Sequence, residues 1–292
     1  MGNELATNTV KSLTTTLSSD VVKNKVNAII GDEKKGAKFI SSLTSMINQN
    51  PALAECEQAS LINSALVGFA LELSPQLQQF YVVPFKDTRN NRTVATYQMG
   101  WKGYWQLAMR SGQYKSLNVS EVREGEKVNF DRLSGQVQVS WIDDAERETK
   151  KVIGYVAYFQ LLNGFEKAIY WDHAKMKAHA EKYSLGYRSD IQKGTKYTFW
   201  SKDFDGMAFK TLIRQLISKY GVMSIEMETA YRNDMAAIED NGVAYVDNVT
   251  DLKEQVATEA NKQPIPTVKS DANGVVEEKK PTTDKDNIDL GF

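Results

Sequence analysis

Apolar residues recur at helical spacing through Ala37–Leu73, at Phe39, Leu43, Met46 and Ile47 and again at Leu61, Ile62, Ala65, Leu66 and Phe69, with a turn signal at Asn50-Pro51 between the two runs. Two helices are expected. Phe80 to Lys86 and Thr93 to Met99 are β-rich runs around Thr88-Arg89-Asn90-Asn91, which predicts a hairpin. A helix from Gly100 to Ser111, closed by Gly112, should follow. Alternation then takes over: Val119, Val122, Val128 and Phe130, a turn at Leu133-Ser134-Gly135, then Val137, Val139 and Trp141, and after a charged loop Ile153 to Leu162 and Ala168 to Trp171. That pattern predicts an antiparallel meander. Asp172 should cap a helix through Tyr183, a polar loop should span Leu185 to Tyr197, and a long amphipathic helix is expected from Asp203 to Gly221.

The ends differ in character. Residues 1–36 are polar, with a short apolar pattern at Val21, Val22, Val26, Ile29 and Ile30, and read as a flexible arm carrying a short helix. Apolar density falls after about Asp240, and from Asn261 the chain is Pro, Lys, Thr, Asp and Glu without periodicity, so 241–292 is expected to be a mostly disordered acidic tail. The predicted class is therefore α+β, with hairpins, an antiparallel meander and a long amphipathic helix in one core at 37–240.

Composition narrows the function less than charge segregation does. Lys and Arg total 36 against 37 Asp and Glu, so the chain as a whole carries no excess that would draw a polyanion. Cys56 is the only cysteine, which excludes an internal disulfide and a multi-cysteine zinc cluster and suits a reducing, cytoplasmic setting. No secretion signal and no apolar run of membrane-spanning length is seen.

Three segments concentrate cations beside aromatics. Gly100–Gly112 places Trp101, Tyr104 and Trp105 with Lys102 and Arg110, and Gln106 lies between the two cations on one predicted face. Gly100 and Gly103 would leave the helix start open to a phosphate, although for one helix the aromatics read more readily as core and the two cations as solvated. In the second segment Lys202, Gly206, Lys210 and Arg214 recur every fourth residue. Like charges at that spacing repel, and a polyanion on that face would explain their presence; a merely solvated face is the other reading. The third, Tyr183–Tyr197, interleaves Tyr187, Arg188, Lys193, Lys196 and Tyr197 with glycines, a combination suited to stacking unpaired bases while holding phosphates.

Several kinds of chemistry find no support. Gly31-Asp-Glu-Lys-Lys-Gly36-Ala37-Lys38 has Ala where a phosphate-cradling loop needs Lys, and reads as a surface turn. His173 and His179 are six positions apart, which does not suit a zinc site or a Ser-His-Asp arrangement. Asp143, Asp144, Glu148 and Lys150 leave a metal-dependent nuclease open as an alternative, but the run is polar and lies between strands, where a turn is expected.

The segments Leu71-Glu-Leu-Ser-Pro75, Tyr81-Val-Val-Pro84-Phe85, Gly100 to Leu117, Val122-Arg-Glu-Gly-Glu126 with Phe130, and Trp200 to Glu226 resemble the RecT family of phage recombinases, in the right order from about Ala37 to Tyr231. Tyr220-Gly221 departs from the family's common Leu-Pro step, at a helix end. The resemblance implies a curved antiparallel sheet packed beside the long amphipathic helix with a basic groove, and annealing of complementary single DNA strands without ATP, by oligomeric rings or filaments, with Mg²⁺ as an optional aid and no catalytic residues. It also implies a 5′-to-3′ exonuclease and a host single-strand-binding protein as partners, and a bacterial cytoplasm as setting. The DNA-binding set expected from residues and resemblance together is Lys102, Gln106, Arg110, Arg123, Tyr187, Arg188, Lys193, Lys196, Tyr197, Lys202, Lys210 and Arg214. A strand-coating protein without annealing activity is the alternative. The Asp284–Phe292 tip, acidic with an apolar end, is similar to the tip of bacterial single-strand-binding proteins, or is an inert solubilising tail.

Overall fold

A computed structural model describes residues 10, 13–87, 90–131, 133–239 and 242–245. Of the expected tail, residues 246–292 with the Asp284–Phe292 tip lie outside the described residues, as do residues 1–9 and Thr88-Arg89 of the first turn.

The fold is α+β, with antiparallel sheets between helices. Helix α1 (Asp20–Ile30) ends at Gly31, whose left-handed φ of 74° turns the chain into α2 (Glu33–Gln49), capped by the Asp32 carboxylate on the Lys35 amide. The Gly31–Lys38 run is therefore a helix–turn–helix joint, with Gly36 packed inside it against Asn27. Where polar composition predicts a free arm, Leu17 and Val26 are buried in the main core. A 3-10 turn (Pro51–Glu55) follows at the expected Asn50-Pro51 break, and α3 (Gln58–Ala70) then runs to the first hairpin.

That hairpin is β1 (Phe80–Asp87) and β2 (Arg92–Met99), in register from Phe80↔Met99 to Asp87↔Arg92. Gly68 of α3 is needed here, because a Cβ would lie 2.4 Å from the Phe80 ring. Helix α4 (Trp101–Arg110) follows directly. Its first turn is closed by the protein itself: Gly100 donates to the Gln79 carbonyl, and a Cβ on Gly103 would sit 2.1 Å from that oxygen. The two glycines serve close packing, so the open helix start expected for a phosphate is filled by backbone.

The expected meander divides into two parts. Strands β3 (Tyr114–Arg123), β6 (Val152–Leu161) and β7 (Glu166–Asp172) form one sheet in the order β3-β6-β7, while β4 (Lys127–Phe130) and β5 (Val137–Ser140) pair with each other in a separate two-stranded sheet. Helix α5 (Asp144–Arg147) then leads back to β6. Buried Glu126 fixes this departure, accepting from the Arg123 amide at 2.7 Å and from Arg147 Nε at 2.8 Å.

Helix α6 (His173–Tyr183) is capped by Asp172 as expected. The stretch expected to be a polar loop instead forms helix α7 (Leu185–Lys193), capped by the Ser184 hydroxyl and closed by left-handed Gly194. Short α8 (Phe199–Lys202) precedes the long α9 (Phe204–Tyr220), which packs on β6 and α4 through Ala208, Leu212, Ile213, Leu216 and Ile217. At its end Gly221 leaves room for the Tyr114 hydroxyl, which donates to the Val222 carbonyl. After α10 (Ile225–Asn233), strands β8 (Ala236–Glu239) and β9 (Gly242–Tyr245) extend the first sheet to β1-β2-β8-β9, an extension the sequence pattern did not announce. Phe39, Phe69, Phe80 and Tyr97 form a chain of ring contacts through the core, each buried ring stabilising by about 1.5–3 kcal/mol.

Candidate nucleic-acid interface

The chain from α6 to α8 is where charge separates. Residues 173–202 carry Lys175, Lys177, Lys182, Arg188, Lys193, Lys196 and Lys202 against Glu181 and Asp190. Glu181 pairs with Lys177, and Asp190 is buried, accepting only from hydroxyls and amides. Arg188, Lys193, Lys196 and Lys202 stand exposed, and Tyr197 is 78% exposed in the loop between α7 and α8. The cations remain available to an outside anion because the one interior carboxylate of the arm is satisfied by neutral donors.

This arm borders a trough of about 860 Å³ between the α2 end, β1 and the α7–α8 loop. Tyr197 and Lys202 line one wall. Gln49, Asn50, Gln76, Gln78 and Gln98 supply amides elsewhere in the lining, and Tyr81 and Phe199 meet inside it with ring centroids 5.2 Å apart. Burial, aided by the nearby Asp203 carboxylate, raises the Tyr81 pKa and keeps that ring neutral. Amides and aromatic rings offer hydrogen bonds and stacking faces, the chemistry of unpaired bases, while Lys202 gives the trough a cation. Lys102 is tied to the same feature through its Nζ, 2.9 Å from Gln78 Oε1.

The expected residues thus fall into groups. Tyr197 and Lys202 line the trough, Lys102 stands behind Gln78, and Arg188, Lys193 and Lys196 are exposed on the adjoining arm. Gln106 is half-buried on α4. Two residues require correction. Lys210 is 6% exposed and its Nζ lies 2.8 Å from Asp234 Oδ1, so it is an internal ion-pair partner and presents nothing to a ligand. Tyr187 is 8% exposed, with its ring packed beside Trp200 and Phe204, and cannot stack on a base.

Three arginines are engaged by the protein. Arg214 lies half-buried with Nε 3.8 Å from Asp234 Oδ2 and its guanidinium 4.2 Å from the Tyr231 ring centroid. Arg110 reaches the Leu71 carbonyl at 2.8 Å and Glu72 at 3.7 Å. Arg123 binds the carbonyls of Arg147 and Lys150 and the Glu121 carboxylate, holding the turn before β6.

Residue reasoning missed the trough's amides, Tyr81 and Phe199, which come from separated parts of the chain and share no spacing. It also passed over Lys175, Lys177 and Lys182, although the excess of Lys along α6 was readable in the sequence. Of the residues considered for a nuclease, Asp143 caps α5 and Lys150 pairs with Glu146, so both serve the local structure. Among the described residues no group of three or more His, Cys, Asp or Glu could hold a metal ion, and no helix is long and apolar enough to cross a membrane.

A basic arm beside an amide- and ring-lined trough, on this α+β frame, is the build of a DNA-binding protein, and the profile of the RecT family matches residues 37–246. The chain belongs to the RecT family, whose members are recombination proteins that anneal single DNA strands. It is 37% identical over 216 residues to an uncharacterized protein, YqaK, of Bacillus subtilis, covering 73% of this chain and 69% of that one. Over 217 residues it is 27% identical to Protein RecT of Escherichia coli, covering 73% of this chain and 76% of that one.

Proposed function

We propose that this chain binds one DNA strand along the α6–α8 arm and the adjoining trough, and there anneals a complementary strand to it without ATP. The observation that carries this reading is the meeting of exposed Lys196, Tyr197 and Lys202 with a trough lined by amides and rings. Phosphates lie along the lysines, and rings and amides hold bases without sequence preference. Base pairing with the second strand supplies the specificity.

A few phosphates held per subunit give weak binding, which becomes tight when neighbouring subunits share one strand, so the active form is an oligomer or filament. The protein supplies no bond-breaking chemistry. Mg²⁺ assists only by screening the two phosphate chains from each other. A 5′-to-3′ exonuclease that makes the strand and a single-strand-binding protein that coats it, in a bacterial cytoplasm, complete the proposal by family likeness.

The test mixes complementary labelled oligonucleotides with the protein and no nucleotide cofactor. Duplex formation should accelerate over the spontaneous rate, and Lys193→Ala/Lys196→Ala/Lys202→Ala should lower the log-log salt slope of single-strand binding by roughly 0.7 for each phosphate left without its lysine. Binding without acceleration would make the protein a strand-coating protein. An unchanged slope in the folded triple variant would remove the arm from the site.

A further inference from the structure

Asp190 is an anion in the middle of a basic arm, yet among the described residues no Lys or Arg pairs with it. Its Oδ1 accepts from the Thr195 hydroxyl at 2.6 Å and the Tyr197 amide at 3.1 Å. Its Oδ2 accepts from the Tyr197 and Thr198 amides at 3.0 and 2.8 Å, and from the Thr198 and Ser201 hydroxyls at 2.8 and 2.7 Å. The Asp190 carbonyl takes the Thr195 amide at 2.9 Å, behind the left-handed turn at Gly194. The donors straddle residue 196: Thr195 is held before it, and Tyr197 and Thr198 are held by their amides after it. Lys196 and the Tyr197 ring are therefore left at the apex, pointing outward. The loop is seated from below as well, since a Cβ at Gly186 would meet the Thr198 methyl at 2.8 Å.

We propose that Asp190 is the positioning residue of the strand-binding arm, gathering residues 195–201 onto one carboxylate so that Lys196 and Tyr197 face a single DNA strand in fixed geometry before it arrives. The proposal rests on the reading of the arm as a DNA-binding surface. Because the carboxylate is satisfied by hydroxyls and amides, it orders the loop without neutralising the neighbouring lysines. An acid paired with Lys193 or Lys196 would order the loop and abolish its charge. Ordering the loop in the free protein removes a conformational cost otherwise met on binding, and strengthens binding while adding no further bond to the DNA.

Asp190→Asn is the test, because its amide nitrogen turns a donor toward groups that are themselves donors. Affinity for a fluorescent oligothymidylate is measured in the full chain, in Asp190→Asn, in Lys196→Ala/Tyr197→Ala, and in the variant carrying all three changes. Asp190→Asn should weaken binding about ten-fold in the full chain and leave the Lys196→Ala/Tyr197→Ala background unchanged, since a positioned pair that is already absent has nothing left to lose. Equal weakening on both backgrounds, or no weakening in the full chain, overturns the positioning role. If Lys196→Ala/Tyr197→Ala itself binds as tightly as the full chain, the arm is not the site, and that failure is read separately from the first. Should Asp190→Asn not fold, Thr195→Val takes its place in the same comparison, removing one hydroxyl donor from the carboxylate and leaving the amides bound.

Discussion

Replacing Lys210 by Met distinguishes a phosphate-binding lysine from a structural one, and the expected magnitudes differ enough to decide. The Asp234 carboxylate is fully buried and accepts from Lys210 Nζ at 2.8 Å, from the Met99 amide at 2.9 Å and from the Tyr104 hydroxyl at 3.1 Å, with Arg214 Nε at 3.8 Å. These bonds tie α9, α4 and β2 to the chain entering β8. Burial lowers the Lys210 pKa from the ordinary lysine value, and the charge and hydrogen bond of Asp234 oppose that shift. Removing one member of a buried pair costs about 3–5 kcal/mol, and the remaining Arg214 charge places Lys210→Met near the lower figure, about 3 kcal/mol. For a domain of this size that corresponds to a fall in Tm of about 6–12 °C. Asp234→Asn leaves the ammonium buried without its anion and should cost at least as much, whereas Lys210→Met/Asp234→Asn should cost less than the two single changes added. Urea unfolding followed by circular dichroism gives the free energies, and single-strand titrations at several salt concentrations give the slope. A structural Lys210 leaves the slope of the folded variant unchanged, whereas removing a phosphate-binding lysine lowers it by roughly 0.7. Lys210→Met with parental stability and a reduced slope would refute the internal ion pair.

Burial, with a smaller contribution from Glu55, pushes the Cys56 thiol up to about 12, so it should resist alkylation by iodoacetamide at pH 8 in the folded chain and react readily in urea; rapid native labelling seen by mass spectrometry would contradict its placement. Burial, and then the charges of Arg214, Lys182 and Lys175, lower His179 to about 4. Its unfolded value is near 6.5, so the unfolded chain binds the extra proton between those values, and the stabilisation present above pH 6.5 is lost as pH falls toward 4. Going from pH 7 to pH 5 should cost about 2 kcal/mol in the urea-derived stability, a dependence that His179→Gln removes; the same pH slope in both chains would contradict the burial of a neutral imidazole.

What could be read along the sequence follows from what fixes each feature. Helices α2, α3 and α9 and the first hairpin are set by local apolar periodicity and short turn signals, so their positions were readable from neighbouring residues. Pairing partners are not local. The alternation from Val119 to Trp171 is the same whether β3 pairs with β4 or with β6, and the β3–β6 choice depends on Glu126 reaching Arg147 across the departing hairpin. Helix α7 was hidden by its polar and glycine content, because its cap, Ser184, and its anchor, Asp190, act through hydrogen bonds that leave no apolar stripe. Strands β8 and β9 are four residues each, too short for alternation to register.

The basic ladder that runs into α9 shows why site residues were harder to read than the fold. Lys202, Lys210 and Arg214 fall at multiples of four residues, as on one helix face, where an anion nearby would relieve their mutual repulsion. Sequence spacing calls attention to an anion without saying whether a ligand, the chain or solvent meets the charges. For Lys210 and Arg214 the chain does, through Asp234, which lies twenty-four residues beyond Lys210 and carries no motif of its own. For Lys202, eight residues earlier on the trough wall, the protein offers no paired carboxylate among the described residues, and its charge is left to solvent or to whatever occupies the trough. The same division applies to the α6–α8 arm, where Asp190 is saturated by neutral donors and Lys193 and Lys196 stay exposed. A cation the fold has not neutralised is the one whose replacement should alter the salt dependence of DNA binding, and a neutralised one is the one whose replacement should alter stability.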